Sequence, residues 1–313
     1  MLARLGEALL AAAFLIEFLS GGAAPVLSSL TPAPRRVTVE VRGAPADRYA
    51  RPALGPAAPL VLVHGVTADG RDDPRAVQAA SLLARVGFDV LVPDIPGLRA
   101  GRLRPADVEP VVAAIEAAAA DRRAVVLAVS IGAGPAVLAA ADDRVRDRVA
   151  AVVTLGGYAS AHELVRFFLT GDYAFGPHRG RVRHDPAVVE AFLGANADLL
   201  GGHDPRRLAR DEAAARRFLG ELPSGTEALL TRLSPVSAVT AVRARLVLVH
   251  GRQDRVVPFT ESLRLAAARP VDTRVVLLGS VDHVEAGGVG ALIRSAQDLL
   301  TLWSVMYALR TIR

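Results

Sequence analysis

Residues 124–139 read AVVLAVSIGAGPAVLA. Ala124 to Val129 is a short apolar run rich in β-branched residues, the composition of a strand buried on both faces. Ser130-Ile131-Gly132 turns the chain, and the small residues behind it read as a helix. A serine on so tight a strand-to-helix turn is expected to stand clear of the sheet edge with its hydroxyl exposed. The backbone N–H of Ile131 then points at whatever that hydroxyl attacks. Ala128 and Gly132 are small because the turn brings strand and helix together at those positions. The pattern is A-x-S-x-G where G-x-S-x-G is usual, so the rest of the chain has to supply a base, an acid and a second oxyanion donor.

Working outward, APLVLVHG (58–65), FDVLVPD (88–94), VAAVVTLGG (149–157), ARLVLVHGRQD (244–254) and TRVVLLG (273–279) repeat the buried-strand composition. Helical stretches separate them: 73–86 with Pro74 in its first turn, 105–121, 261–268 and about 289–309. Strand and helix in alternation with short connections predict an α/β fold, a mostly parallel sheet with helices on both faces. Ligands of such sheets bind at the carboxyl ends of the strands. His64-Gly65-Val66, Ser130 and Gly156-Gly157-Tyr158 all fall at such ends, as do Asp254 and His283 beyond the last two strands. Two shorter strands are expected earlier, at 37–42 and around 46–50.

The order serine, acid, histidine is therefore met by Ser130, Asp254 and His283. With these motifs in place the chain resembles the α/β-hydrolases. It carries a strand-HG-x loop (His64-Gly65-Val66), a nucleophile turn (Ala128-Val129-Ser130-Ile131-Gly132), an HG-x-x-D-x-x-V-P loop (His250 to Pro258) and a histidine after the last strand. The likeness covers about residues 37–309 and is looser towards dienelactone-hydrolase-like esterases; dienelactone hydrolases proper use a cysteine nucleophile, which this chain lacks. The resemblance implies acyl transfer, with Ser130 as nucleophile, His283 as base and acid, and Asp254 orienting the imidazole. It further implies the N–H groups of Val66 and Ile131 as oxyanion donors, supported by His64, Gly65, Ala128 and Gly132. The substrate would be a small-molecule ester with a small to medium acyl chain, and no cofactor or metal would be needed. Asp282 is a second candidate for the acid. Thioester, amide or lipid hydrolysis would use the same residues, and a non-catalytic binding protein on the same fold is the alternative of a different class.

The composition excludes other chemistries. The chain of 313 residues has no cysteine and no lysine, so all 37 basic residues are arginine. Disulfides, thiolate nucleophiles, Schiff bases and a P-loop lysine are thereby ruled out. The isoelectric point near 10.5 goes with a net charge of only +5, and the arginines are dispersed among 32 carboxylates. That describes a solvated surface and no nucleic-acid partner.

Residues 1–30 are expected to contribute an N-terminal apolar helix, 31–157 and 236–313 the core, and 158–235 an inserted helical lid without strands. Residues 1–20, MLARLGEALLAAAFLIEFLS, are nearly long enough to span a bilayer, but Glu17 sits inside the apolar stretch. The expectation is a retained helix that docks on the protein or associates with a membrane, with a cytoplasmic, membrane-associated or secreted location left open. Seven of the fourteen aromatic residues fall in 158–235. They are expected mainly to form that insertion's own core, with some lining an acyl pocket. Oligomeric state is not legible.

Overall fold

The computed structural model describes residues 2–51, 57–279 and 296–311. Its centre is an eight-stranded sheet. The strands are β1 (Arg35–Val41), β2 (Ala44–Ala50), β3 (Ala58–Val63), β4 (Phe88–Pro93), β5 (Ala124–Val129), β6 (Val149–Leu155), β9 (Arg245–Gly251) and β10 (Thr273–Leu278). Their order in space is β1-β2-β4-β3-β5-β6-β9-β10. Only the β1–β2 and β2–β4 pairs are antiparallel; the remaining neighbours run parallel. The serine strand β5 thus lies near the middle, flanked by β3 and β6.

Because successive side chains of a strand point to opposite faces, each central strand feeds two cores. Val61, Val63, Val126 and Ala128 pack on one face against helices α5 (Val108–Ala118), α6 (Ala133–Ala141) and α12 (Thr260–Ala268). Leu60, Leu62, Val125 and Leu127 pack on the other against α1 (Leu2–Leu19), α2 (Val26–Leu30), α3 (Pro74–Arg85) and α13 (Ala296–Thr311). Both faces being covered explains why these strands are continuously apolar. α3 starts as the sequence predicts: Pro74 occupies its first turn and the Asp73 carboxylate caps it by accepting from the Arg75 N–H at 2.8 Å. The short helix α4 (Pro96–Arg99) follows β4.

The N-terminal apolar segment lies on the protein. The Trp303 indole N–H donates to the Ala8 carbonyl at 3.0 Å, and Arg310 pairs with Glu7, so α1 and α13 are clasped together. Glu17, 4 % exposed, accepts from the Ser28 backbone N–H at 2.8 Å and from the Ser28 hydroxyl. The carboxylate that interrupts the apolar stretch is thus the group that folds α2 back against α1. Among the described residues no helix is long and apolar enough to cross a membrane. The expected membrane association through residues 1–20 is thereby corrected: the apolar face of α1 covers the sheet.

Residues 158–235 form an inserted, mainly helical region: α7 (Ala161–Thr170), α8 (Pro186–Ala195), α9 (Pro205–Arg210), α10 (Glu212–Gly220) and α11 (Ser224–Arg232). It also holds an antiparallel hairpin, β7 (Asp172–Phe175) and β8 (His178–Arg181), where the sequence predicts no strand. These strands are four residues long and pair only with each other, too short to show a period-2 pattern. The region's two ends are tied together. Tyr158 donates to the Leu233 carbonyl at 2.9 Å, and Ser234 Oγ accepts from the Ala161 N–H at 2.9 Å.

Candidate active site

β5 ends at Val129 with ordinary extended backbone, and Ser130 then takes φ +53° before the chain enters α6. Ser130 is one of three non-glycine residues with positive φ among the described residues. An L-residue pays for this conformation in steric strain, so it persists where the surroundings impose it, as at a sharp strand-to-helix turn that presents a side chain. The turn itself is as expected; the exposure is not, since Ser130 is only 3 % accessible. Neighbouring strand ends crowd it. A Cβ at Gly132 would collide with the His64 carbonyl oxygen at the end of β3. Gly132 is therefore small because of the adjacent strand, whereas the sequence attributes its size to the turn's own strand and helix. Ala128 is fully buried beneath.

His64, Gly65 and Val66 follow β3 directly. His64 Nδ1 lies 2.7 Å from the Gly65 carbonyl, which assigns the ring proton to Nδ1 and leaves Nε2 as an acceptor. Nε2 is buried without a hydrogen-bond partner among the described residues. Burial pushes the imidazole below its ordinary range, so His64 is neutral. The ring is thus held against the backbone of its own loop. Val66 is half exposed and Ile131 buried, both at this edge of the sheet.

Asp254 lies just beyond β9, 6 % exposed, with Oδ1 accepting from the Val256 N–H at 2.8 Å and the Val257 N–H at 2.9 Å. These two bonds hold the carboxylate at the carboxyl edge of the sheet. His250 braces the same loop: its Nε2 lies 2.8 Å from the Val257 carbonyl and 3.4 Å from Asp254 Oδ2, and its Nδ1 lies 2.8 Å from Ser262 Oγ. The motif HG-x-x-D-x-x-V-P thus reads as one hydrogen-bonded unit. His283 and Asp282 lie outside the described residues.

One residue that the sequence does not single out organises the next strand end. Glu261, on α12 and 1 % exposed, accepts from the backbone N–H groups of Ala159 at 3.0 Å and Ser160 at 2.8 Å, and from Arg264 Nε at 3.0 Å. It pins the link from β6 into the insertion. Burial nevertheless pushes its carboxyl upward. A glutamate in the first turn of an amphipathic helix carries no sequence signal for such a task. The insertion also reaches the loop after α4: Asn196 accepts from the Leu103 N–H at 2.7 Å and donates to the Gly101 carbonyl at 2.9 Å.

Beside these strand ends opens a cavity of about 380 Å³, on the face covered by α1, α3 and α13. Its rim includes His64, Gly65, Val129, Gly156 and Asp254. No residue of 158–235 lines it. The aromatics of the insertion pack on one another instead: Phe168 stacks on Phe192 with ring centroids 4.1 Å apart, and Phe167 meets Tyr173 edge-on at 6.1 Å. Among the described residues no cluster of histidine, aspartate and glutamate has the makings of a metal site.

Compared with known families, residues 58–284 match the alpha/beta hydrolase fold. The chain belongs to that family. Its sheet order, mostly parallel with helices on both faces, is what this α/β-hydrolase shares with the resemblance seen in its motifs. A sequence comparison with curated proteins finds no match. Solved structures similar to this α/β-hydrolase include 2,6-dihydroxy-pseudo-oxynicotine hydrolase, 18 % identical with TM-score 0.56 over 91 % of this chain and 69 % of that one. An esterase/lipase from an uncultured bacterium is 16 % identical, TM-score 0.53, over 91 % and 88 %. A puromycin-hydrolysing peptidase of Mycobacterium tuberculosis is 19 % identical, TM-score 0.56, over 89 % of this chain and 38 % of the peptidase. At these identities the likeness is one of fold.

Proposed function

We propose that this α/β-hydrolase is a serine-dependent hydrolase of carboxylic esters acting through an acyl-enzyme. The observation that carries the proposal is the positive φ of Ser130 at the carboxyl end of the central strand. A strained serine there, with a buried carboxylate held beyond β9 by two N–H groups, fits a nucleophile and an orienting acid. His283 is assigned as the base from its place in the sequence.

In this reading Ser130 Oγ attacks the ester carbonyl carbon while its proton passes to His283. The resulting oxyanion is held by the N–H groups of Val66 and Ile131, each worth ~3 kcal/mol in comparable sites. Collapse breaks the bond to the alcohol, which leaves with the proton from His283. Water then attacks the acyl-enzyme, giving its proton to the same imidazole, and the carboxylic acid departs as the serine recovers its hydrogen. Asp254 stabilises the imidazolium in both halves. The insertion 158–235, tied by Asn196 to the loop after β4, would serve as a lid.

The test is hydrolysis of p-nitrophenyl esters from acetate to palmitate, with fluorophosphonate labelling, by the wild type and Ser130→Ala. Turnover and labelling by the wild type are expected, with kcat in Ser130→Ala down by at least about 10⁴-fold. Labelling without ester turnover would move the substrate to thioesters or amides on the same residues. Neither signal in the wild type would leave the non-catalytic binding reading.

A further inference from the structure

We infer that the acyl chain of the substrate is held in the apolar cavity between the sheet and helices α1 and α13, and that residues 1–19 form one wall of the specificity pocket. The inference rests on the ester-hydrolase reading and deepens it by assigning the acyl site. It also moves that site away from the inserted helices, where the sequence expects it.

Geometry carries the assignment. The cavity reaches the proposed reacting edge: Val129, which precedes Ser130, and Asp254 both line it, while Ser130 itself stands next to it. From there it runs across the sheet under the carboxyl ends of five strands, floored by Leu62, Leu127, Val153, Val249 and Leu278. Five strands at inter-strand spacings of about 4.8 Å give a trough roughly 19 Å long. Phe14 and Phe18 of α1, stacked at 5.6 Å, form the roof together with Met306 of α13. The cavity's polar lining residues are His64, Thr67, Asp73, Arg75, Gln78, His250 and Asp254; the others are apolar or glycine.

A mostly apolar trough that meets the strand ends at Val129 and Asp254 fits a hydrocarbon chain whose carboxyl end stays there. The volume of 380 Å³ is at the lower end for small-molecule sites. It fits one medium-length acyl chain better than a bulky ring system or several chains together. Aromatics of the inserted region pack on one another, and none of them lines this cavity.

Two opposed substitutions in the full-length protein test the pocket. Ala79→Phe, from α3, fills it, and Phe18→Ala enlarges it. The readouts are the ratio of kcat/KM for p-nitrophenyl octanoate over acetate, and binding of dansylaminoundecanoic acid to each variant made in a Ser130→Ala background. Ala79→Phe is expected to lower the octanoate-to-acetate ratio and the probe affinity by at least tenfold. Phe18→Ala is expected to move the optimum to longer chains. Should Ala79→Phe fail to fold, Phe18→Ala decides the matter alone. An ester ratio and probe affinity that stay within twofold in each variant that folds would overturn the acyl pocket while leaving the serine hydrolase intact. If no ester is turned over but Ala79→Phe still weakens probe binding, the pocket stands and the catalytic reading fails.

Discussion

At the scale of single residues, the strand ends approach one another closely, and Gly132 meets backbone of the neighbouring one. Its backbone is helical, with φ −61°, so glycine is required there by space and not by conformation. The atom in the way is the His64 carbonyl oxygen, which is backbone and cannot swing aside. Gly132→Ala must therefore displace the turn, the His64-Gly65-Val66 loop, or both. Overpacking of this kind costs about 1–3 kcal/mol, to be read as a lowered urea midpoint with unchanged m-value. Because Val66 and Ile131 carry the proposed oxyanion donors, kcat should fall more than KM rises, by ten- to a hundredfold. A variant with wild-type kcat and reduced stability alone would detach this contact from the reaction. The need for a small residue was legible in the sequence, but its cause was not. Nothing in A-x-S-x-G says that the crowding atom comes from just beyond a strand that ends at Val63, far earlier in the chain.

At the scale of elements, legibility follows the range of the interactions. The parallel strands declared themselves because burial on both faces makes each one continuously apolar. The loop after β9 was legible because the hydrogen bonds that hold Asp254 and Val257 close within nine residues, from His250 to Pro258. The destination of α1 was not, since it is fixed by Trp303 donating to Ala8 and by Arg310 beside Glu7, from the far end of the chain. Glu17 marks the difference. As sequence it is a charge spoiling a membrane-like helix, and in the fold it is the acceptor for two donors of Ser28. Glu17→Ala would leave the partly buried Ser28 N–H without its acceptor, a loss of about 1 kcal/mol. The urea midpoint should fall accordingly, and amide exchange should accelerate in α1 and α2 more than in β5. Equal acceleration throughout the molecule would mean that α1 does not open as a unit of its own.

For the whole molecule, the pH dependence of stability collects these buried groups. Burial holds the imidazoles of His64 and His184 below their ordinary value of 6.5. His184 is 3.0 Å from the Phe167 carbonyl through Nε2 and stacks on Phe168. A depressed imidazole means that the unfolded chain takes up the proton first, so its stabilising contribution is full above 6.5 and is lost as pH falls through the folded value. Asp73 acts later in the same direction. Hydrogen bonds from Arg75 and Thr67 hold its carboxyl well below the ordinary 3.8, so its contribution is present above 3.8 and lost on further acidification. Glu261 opposes both: its raised carboxyl favours the folded state below the ordinary 4.5, and that advantage disappears as pH rises through the folded value. Tyr49, pushed up to about 12 by burial, contributes below its ordinary 10 and loses that contribution as pH climbs to about 12. The expected curve has a plateau between about pH 7 and 9 and a two-step acid limb, its first step beginning near 6.5. Urea midpoints from pH 8 to 3 for the wild type, His64→Gln and His184→Gln resolve it. Each variant should shift the absolute level and also shallow the first step, leaving the second in place. If the slope between pH 6.5 and 5 is the same in all three proteins, other groups drive the acid limb, and the neutral His64 assigned to the oxyanion loop is not charged on unfolding in that range.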